Sequence, residues 1–142
     1  MTTTVRDILK HKPDVYVVRP DDTVYRALQL MAEKNIGAVL VMNGEELAGI
    51  FSERDYARRG ILHGHPSRET AVRTIMTTDV VSIAPSMTVD DCMALMTERR
   101  IRHLPVVDAN RIVGVVSIGD VVRAVVEEQR FTIRSLETYV TS

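Results

Sequence analysis

The chain has no tryptophan, two phenylalanines and four tyrosines in 142 residues. Its core must therefore be aliphatic, built from valine, isoleucine, leucine and methionine. A single cysteine, Cys92, excludes an internal disulfide, and four scattered histidines leave little for a zinc site. No apolar run approaches the length of a membrane span. The opening Met-Thr-Thr-Thr-Val-Arg-Asp has no apolar signal-peptide core. Neither sign of charge dominates, since 18 basic and 19 acidic residues give a net −1. That leaves no general field to draw in DNA, RNA or an anionic membrane. These gaps predict a soluble, cytoplasmic protein of about one domain that binds neither nucleic acid nor membrane and holds no metal.

What is present is a repetition. Gly49-Ile-Phe-Ser-Glu-Arg-Asp55 returns 65 residues later as Gly114-Val-Val-Ser-Ile-Gly-Asp120. Overlaying 14–55 on 79–120 needs no gap and gives thirteen identities in 42 positions, among them Pro20/Pro85, Thr23/Thr88, Met31/Met96 and Val41/Val106. A unit that cannot bury its own apolar face needs its copy. Residues 5–9 read as a short helical turn leading into Pro13, with 72–76 as their partner. The offset there is 67 rather than 65, so the first copy holds two extra residues around Lys10–Pro13.

Within the first copy, Val15–Val18 reads as a strand. Thr23–Lys34 reads as a helix, with Val24, Ala27, Leu28, Met31 and Ala32 on one stripe. Either Asp22 or Thr23 can cap it, and position favours Asp22. Ala38–Met42 and Leu47–Phe51 form a hairpin about Asn43-Gly44. Ser52–Asp55 opens a second helix that ends near Gly60. The second copy repeats the plan with a strand at Val80–Ile83, a helix at Thr88–Arg99 and strands at Leu104–Val107 and Ile112–Val116. A last helix covers Ile118–Val126. The expected fold is α+β, with two β-α-β-β-α repeats packed through their helical faces into one pseudo-two-fold module. Repeat 1 spans 5–62, a linker 63–71, repeat 2 72–128 and a helical tail 129–142. Phe131, Leu136, Tyr139 and Val140 give that tail surplus apolar surface, which predicts a homodimer.

A strand running into Ser–x–x–Asp at a helix start offers backbone N–H groups and a positive helix end to an anion. The hydroxyl of Ser52 or Ser117 can donate or accept. The carboxylate of Asp55 or Asp120 only accepts, which suits paired hydroxyls such as a ribose 2′,3′-diol. The plainer reading is a duplicated helix cap, and the spacing alone does not separate the two.

The residues Asp79-Val-Val-Ser-Ile-Ala-Pro85, Arg102-His-Leu-Pro-Val-Val-Asp108 and Gly114-Val-Val-Ser-Ile-Gly-Asp120 resemble cystathionine-beta-synthase-type (CBS) repeats. The first copy carries weaker echoes, and the resemblance covers roughly residues 5–128. It implies a tandem pair, a Bateman module, that binds an adenosine-containing ligand in clefts between its repeats: AMP, ADP, ATP, NAD or S-adenosylmethionine. By that resemblance Asp55 and Asp120 hold the ribose, with Ser52 and Ser117 as the hydroxyl residues. Asp14, Val15, Tyr16 and Val17, and likewise Thr78, Asp79, Val80 and Val81, line the adenine. Arg102 and His103 meet phosphate. Gly37 and Ala38 stand in their places in the first copy, so the two clefts are not equivalent. Arg54, Arg58 and Arg59 can partly compensate, although Arg58 and Arg59 also fit a solvated helix face.

Neither serine has a histidine-type proton acceptor beside it, so no enzyme is expected and no catalytic cofactor. The function implied is a regulatory energy or redox sensor with AMP or NAD(H) favoured, acting through an effector protein not identifiable from the chain. The alternative is a structural or adaptor protein that works through a dimer surface with vestigial clefts.

Overall fold

The computed structural model describes residues 2–12 and 14–141, so Pro13, where the first helical turn was expected to lead, lies outside the described residues. The chain forms two compact units, and neither follows the order of the sequence copies. One is Val15–Val81; the other joins Met1–Asp14 to Ser82–Ser142.

In the unit Val15–Val81, β1 (Val17–Val18) lies parallel to β2 (Ala38–Asn43), which pairs antiparallel with β3 (Glu46–Ser52). Helix α2 (Val24–Lys34) lays Val24, Ala27 and Met31 against Val39, Val41 and Phe51. Short α4 (Val72–Ile75) closes the same core with Val72 and Ile75. Beyond α4, Thr77 and Ile50 exchange both backbone hydrogen bonds at 2.9 Å, so the segment after α4 zips onto β3. Gly49 makes this possible: a Cβ there would stand 2.6 Å from the Thr77 carbonyl oxygen. The Ser52–Asp55 helix is α3 (Glu53–Asp55), continued by a π-helical turn over Tyr56–Gly60.

The other unit repeats the plan with α1 (Val5–Leu9) in the role of α4 and α5 (Val89–Arg99) in that of α2. The docking bonds recur pairwise. Arg73 N donates to Pro20 O at 3.1 Å, and Arg6 N to Pro85 O at 2.9 Å. Val24 N donates to Thr70 O at 2.8 Å, and Val89 N to Thr3 O at 2.9 Å. The leading segment of each sequence copy thus closes the unit built from the other copy's helices and hairpin. β4 (His103–Asp108) and β5 (Arg111–Ser117) form the hairpin, turning through Ala109 and Asn110 at φ of 51° and 65°.

Four expectations need correction. Val80–Ile83 is not a strand but a single parallel bridge, Ile83 to Val106. In the first unit Leu40 N donates to Tyr16 O at 3.2 Å; the counterpart of Leu40 is Pro105, which has no N–H to give. The first strand is likewise shorter than Val15–Val18, since only Val17 and Val18 pair. The cap of α2 is Thr23, whose Oγ1 accepts from Arg26 N at 3.1 Å, because Asp22 turns back to accept from Arg19 N at 2.8 Å. The last helix does not stop at Val126 but runs as α6 (Ile118–Thr141). No glycine or proline follows Gly119 to end it.

Candidate functional site

Each Ser–x–x–Asp forms a reciprocal helix cap. Ser52 Oγ accepts from Asp55 N at 3.1 Å, while Asp55 Oδ2 accepts from Ser52 N at 2.9 Å and from Ser52 Oγ at 3.1 Å. Ser117 Oγ accepts from Asp120 N at 3.2 Å, and Asp120 Oδ2 from Ser117 N at 2.8 Å. Thr4 and Asp7 open α1 the same way, with Asp7 Oδ2 accepting from Thr4 N at 2.9 Å. Capping is therefore a property of the spacing itself. The first-turn donors expected to await an anion are partly spent: Glu53 N donates to Gly37 O at 3.1 Å and Ile118 N to Arg102 O at 2.8 Å.

The two aspartates differ in what else they hold. Asp55 Oδ1 accepts from the hydroxyl of Thr77 at 3.0 Å. Asp120 meets two cations: Lys12 Nζ on Oδ2 at 2.6 Å and an Arg123 guanidinium nitrogen on Oδ1 at 3.1 Å. Lys12 also donates to Val115 O at 3.0 Å. Burial is the largest influence on the Asp120 carboxyl and pushes its pKa up. The Lys12 ammonium and the Ser117 cap together outweigh it and hold the group below the usual carboxylate range.

The remaining predicted residues divide between the units. Ser52, Arg54, Asp55, Val15, Tyr16, Val17, Thr78, Asp79, Val80 and Val81 belong to Val15–Val81, where Thr77 joins the segment ahead of Thr78 to Asp55. Arg54 is exposed on the first turn of α3, and Tyr16 is half-buried, with Lys34 Nζ 5.4 Å from its ring centre. Arg59 is exposed and donates to Met76 O at 3.2 Å. In the other unit, Asp14 ends the leading segment, and His103 pairs in register with Ser117. Arg102 and His103 therefore sit beside the α6 cap. A groove of about 620 Å³ opens next to Asp120 between α1 and α6, lined among others by His11, Lys12, Arg123, Glu127 and Phe131, but not by Arg102 or His103.

Lys12, Thr77 and Arg123 escaped sequence reasoning. Lys12 and Thr77 stand at the same 65-residue offset as the motifs, just after the two extra residues are absorbed and two before the overlay begins. Extending the overlay two residues backward exposes the pair. Cys92 is fully buried on α5, and burial raises its thiol pKa to about 11, which leaves it an inert core residue. Among the described residues, no group of three or more His, Cys, Asp or Glu is placed to hold a metal, and no helix is long and apolar enough to cross a membrane.

Two βαββα-like units, each with a capped Ser–x–x–Asp at the end of its hairpin, define a tandem-repeat regulatory module. The CBS domain family matches residues 4–61 and 72–127, and the chain belongs to it. It is 42% identical over 149 aligned positions to the CBS domain-containing protein CBSX3, mitochondrial, of Arabidopsis thaliana, covering 98% of this chain and 72% of that one. It is 39% identical over 106 positions to the CBS domain-containing protein YhcV of Bacillus subtilis, covering 75% of each. A protein with CBS domains from Burkholderia ambifaria has a solved structure that superposes with a TM-score of 0.86 at 50% identity, covering 89% of this chain and 96% of that one. CBS pairs are regulatory, non-catalytic modules, and this chain is one.

Proposed function

We propose that this module senses an adenosine-containing ligand, with AMP or NAD(H) favoured over ADP, ATP and S-adenosylmethionine. In this reading Asp55 and Asp120 receive the ribose diol, Ser52 and Ser117 set their geometry, and Arg102, His103 and Arg54 serve the phosphate side. Asp14–Val17 and Thr78–Val81 flank the base. The supporting observation is that two half-buried carboxylates are fixed by their own helix caps at matched places. Each also touches a residue just ahead of a segment assigned to the base, Thr77 before Thr78 and Lys12 two residues before Asp14. A triphosphate is disfavoured beside Asp120, where four carboxylates (Asp7, Asp120, Glu127, Glu128) and only two lysine or arginine side chains (Lys12, Arg123) line the groove.

The test is calorimetric titration of ligand-stripped protein with AMP, ATP, NAD, NADH and S-adenosylmethionine, beside Asp55→Asn and Asp120→Asn. Asparagine keeps an oxygen for the cap amide but loses the charge. The expected result is one ligand bound at micromolar affinity and lost at the copy carrying the substitution. Silence from all five ligands would sink this reading. It would favour the adaptor alternative, in which the caps are purely structural and a homodimer forms through the exposed apolar stripe of α6. That stripe comprises Val122, Val126, Ile133, Leu136 and Val140, each more than a third exposed.

A further inference from the structure

The two aspartates would admit a diol at different cost. A carboxylate oxygen accepts about two hydrogen bonds, and a chelating diol needs one place on each oxygen. At Asp120, Oδ1 accepts from Arg123 alone among the described residues, so a place is open there. Oδ2 is full, with the Ser117 amide and the Lys12 ammonium. The amide belongs to the helix cap, so Lys12 is the partner that must leave. At Asp55 the corresponding Oδ2 holds the Ser52 amide and the Ser52 hydroxyl. There the group that gives way is neutral and needs only to rotate.

The chain is built to let Lys12 swing. In the Asp55 unit, the Ile50 carbonyl receives the backbone N–H of Thr77, so the preceding segment is fastened by its main chain. In the Asp120 unit the equivalent carbonyl, that of Val115, receives the Lys12 ammonium instead, at the end of a flexible four-carbon stem. The Lys12 side chain is 33% exposed against 10% for Asp120. An ammonium driven off this carboxylate faces a groove it shares with Asp7, Glu127 and Glu128, where an incoming anion is repelled unless Lys12 meets it.

Building on the reading that Asp120 takes a ribose diol, we infer that Lys12 makes the Asp120 copy selective for a ligand that carries a phosphate beside its ribose. The phosphate replaces the counter-charge that the diol takes from Lys12. The Asp55 copy, where Thr77 stands in place of Lys12, makes no such demand. A bare nucleoside breaks the Lys12–Asp120 pair at Asp120 and returns nothing.

The experiment compares AMP with adenosine by calorimetry at fixed salt, using full-length Asp55→Asn protein so that only the Asp120 copy titrates. Lys12 is tested as it stands and as Lys12→Met, Lys12→Gln and Lys12→Arg. Lys12→Gln keeps a donor for Val115 O should the methionine variant unfold. With Lys12 present, AMP is expected to bind at least about tenfold tighter than adenosine. With Met or Gln the ratio falls to within about twofold, chiefly because adenosine binds better, and Arg preserves the preference. An unchanged ratio in both neutral variants overturns the inference while leaving the diol site standing. If neither ligand binds even with Lys12 intact, the diol reading of Asp120 fails, and the inference falls with it.

Discussion

Asp120 ties a helix cap, a lysine from the other end of the chain and an arginine one turn along α6 into one half-buried knot. Its lowered pKa fixes the sign of a pH effect. Stability from this group is fully present above its ordinary value of 3.8 and is lost as pH falls through the lowered folded-state value. Asp120→Ala is expected to cost about 2–3 kcal/mol at neutral pH, from the lost cap and the stranded ammonium. Its melting temperature should then fall less steeply than the parent's between about pH 5 and pH 3. Thermal melts across that range check both. A variant as acid-sensitive as the parent would show that Asp120 is not the titrating group. The aspartates were legible as candidates from their repetition alone. Their partners were not, because Lys12 lies 108 residues from Asp120 and Thr77 lies 22 from Asp55, and spacing along a chain says nothing about such contacts.

The elements were legible wherever local chemistry decides. The buried stripe of α2 follows its apolar spacing, and the hairpins turn through Gly44-Glu45, one residue beyond the expected Asn43-Gly44, and through Ala109-Asn110. Sequence failed where a distant partner decides. Val80–Ile83 has the composition of a strand, yet Pro105 denies it a ladder. The glycines at matched places in the hairpins make a sharper case. A Cβ on Gly49 would meet the Thr77 backbone oxygen at 2.6 Å, whereas on Gly114 it would meet the Leu9 Cδ2 at 2.4 Å. A leucine tip can rotate aside, but a hydrogen-bonded main chain cannot. Gly49→Ala should therefore cost about 2–3 kcal/mol and Gly114→Ala about 1 kcal/mol or less. Denaturant midpoints measure the difference, and equal losses would contradict this account.

For the molecule as a whole, five of the seven large apolar residues exposed on α6 among the described residues, Val122, Val126, Ile133, Leu136 and Val140, have the spacing of a coiled-coil seam, while Phe131 and Tyr139 lie off it. In an antiparallel self-pairing that sets Val126 against Leu136 of a second copy, Arg123 comes near Glu137 of that copy. A homodimer built this way should lose its mass in light scattering when Ile133→Glu and Leu136→Glu are combined, with unit folding intact by circular dichroism. An unaltered mass would place any dimer contact elsewhere. The tail's surplus of apolar side chains was legible in the sequence. That it continues one unbroken helix, and so extends the seam from Val122, was not.

The exchange of leading segments has a consequence for how this chain can be divided. A repeat cut out at its own sequence limits carries a strap with nothing to fasten and a sheet with nothing fastening it. The period of the sequence and the period of the packing are out of phase by one segment. The shortest contiguous stretch that contains all of its own closures is thus Val15–Val81, which starts inside one copy and finishes inside the next.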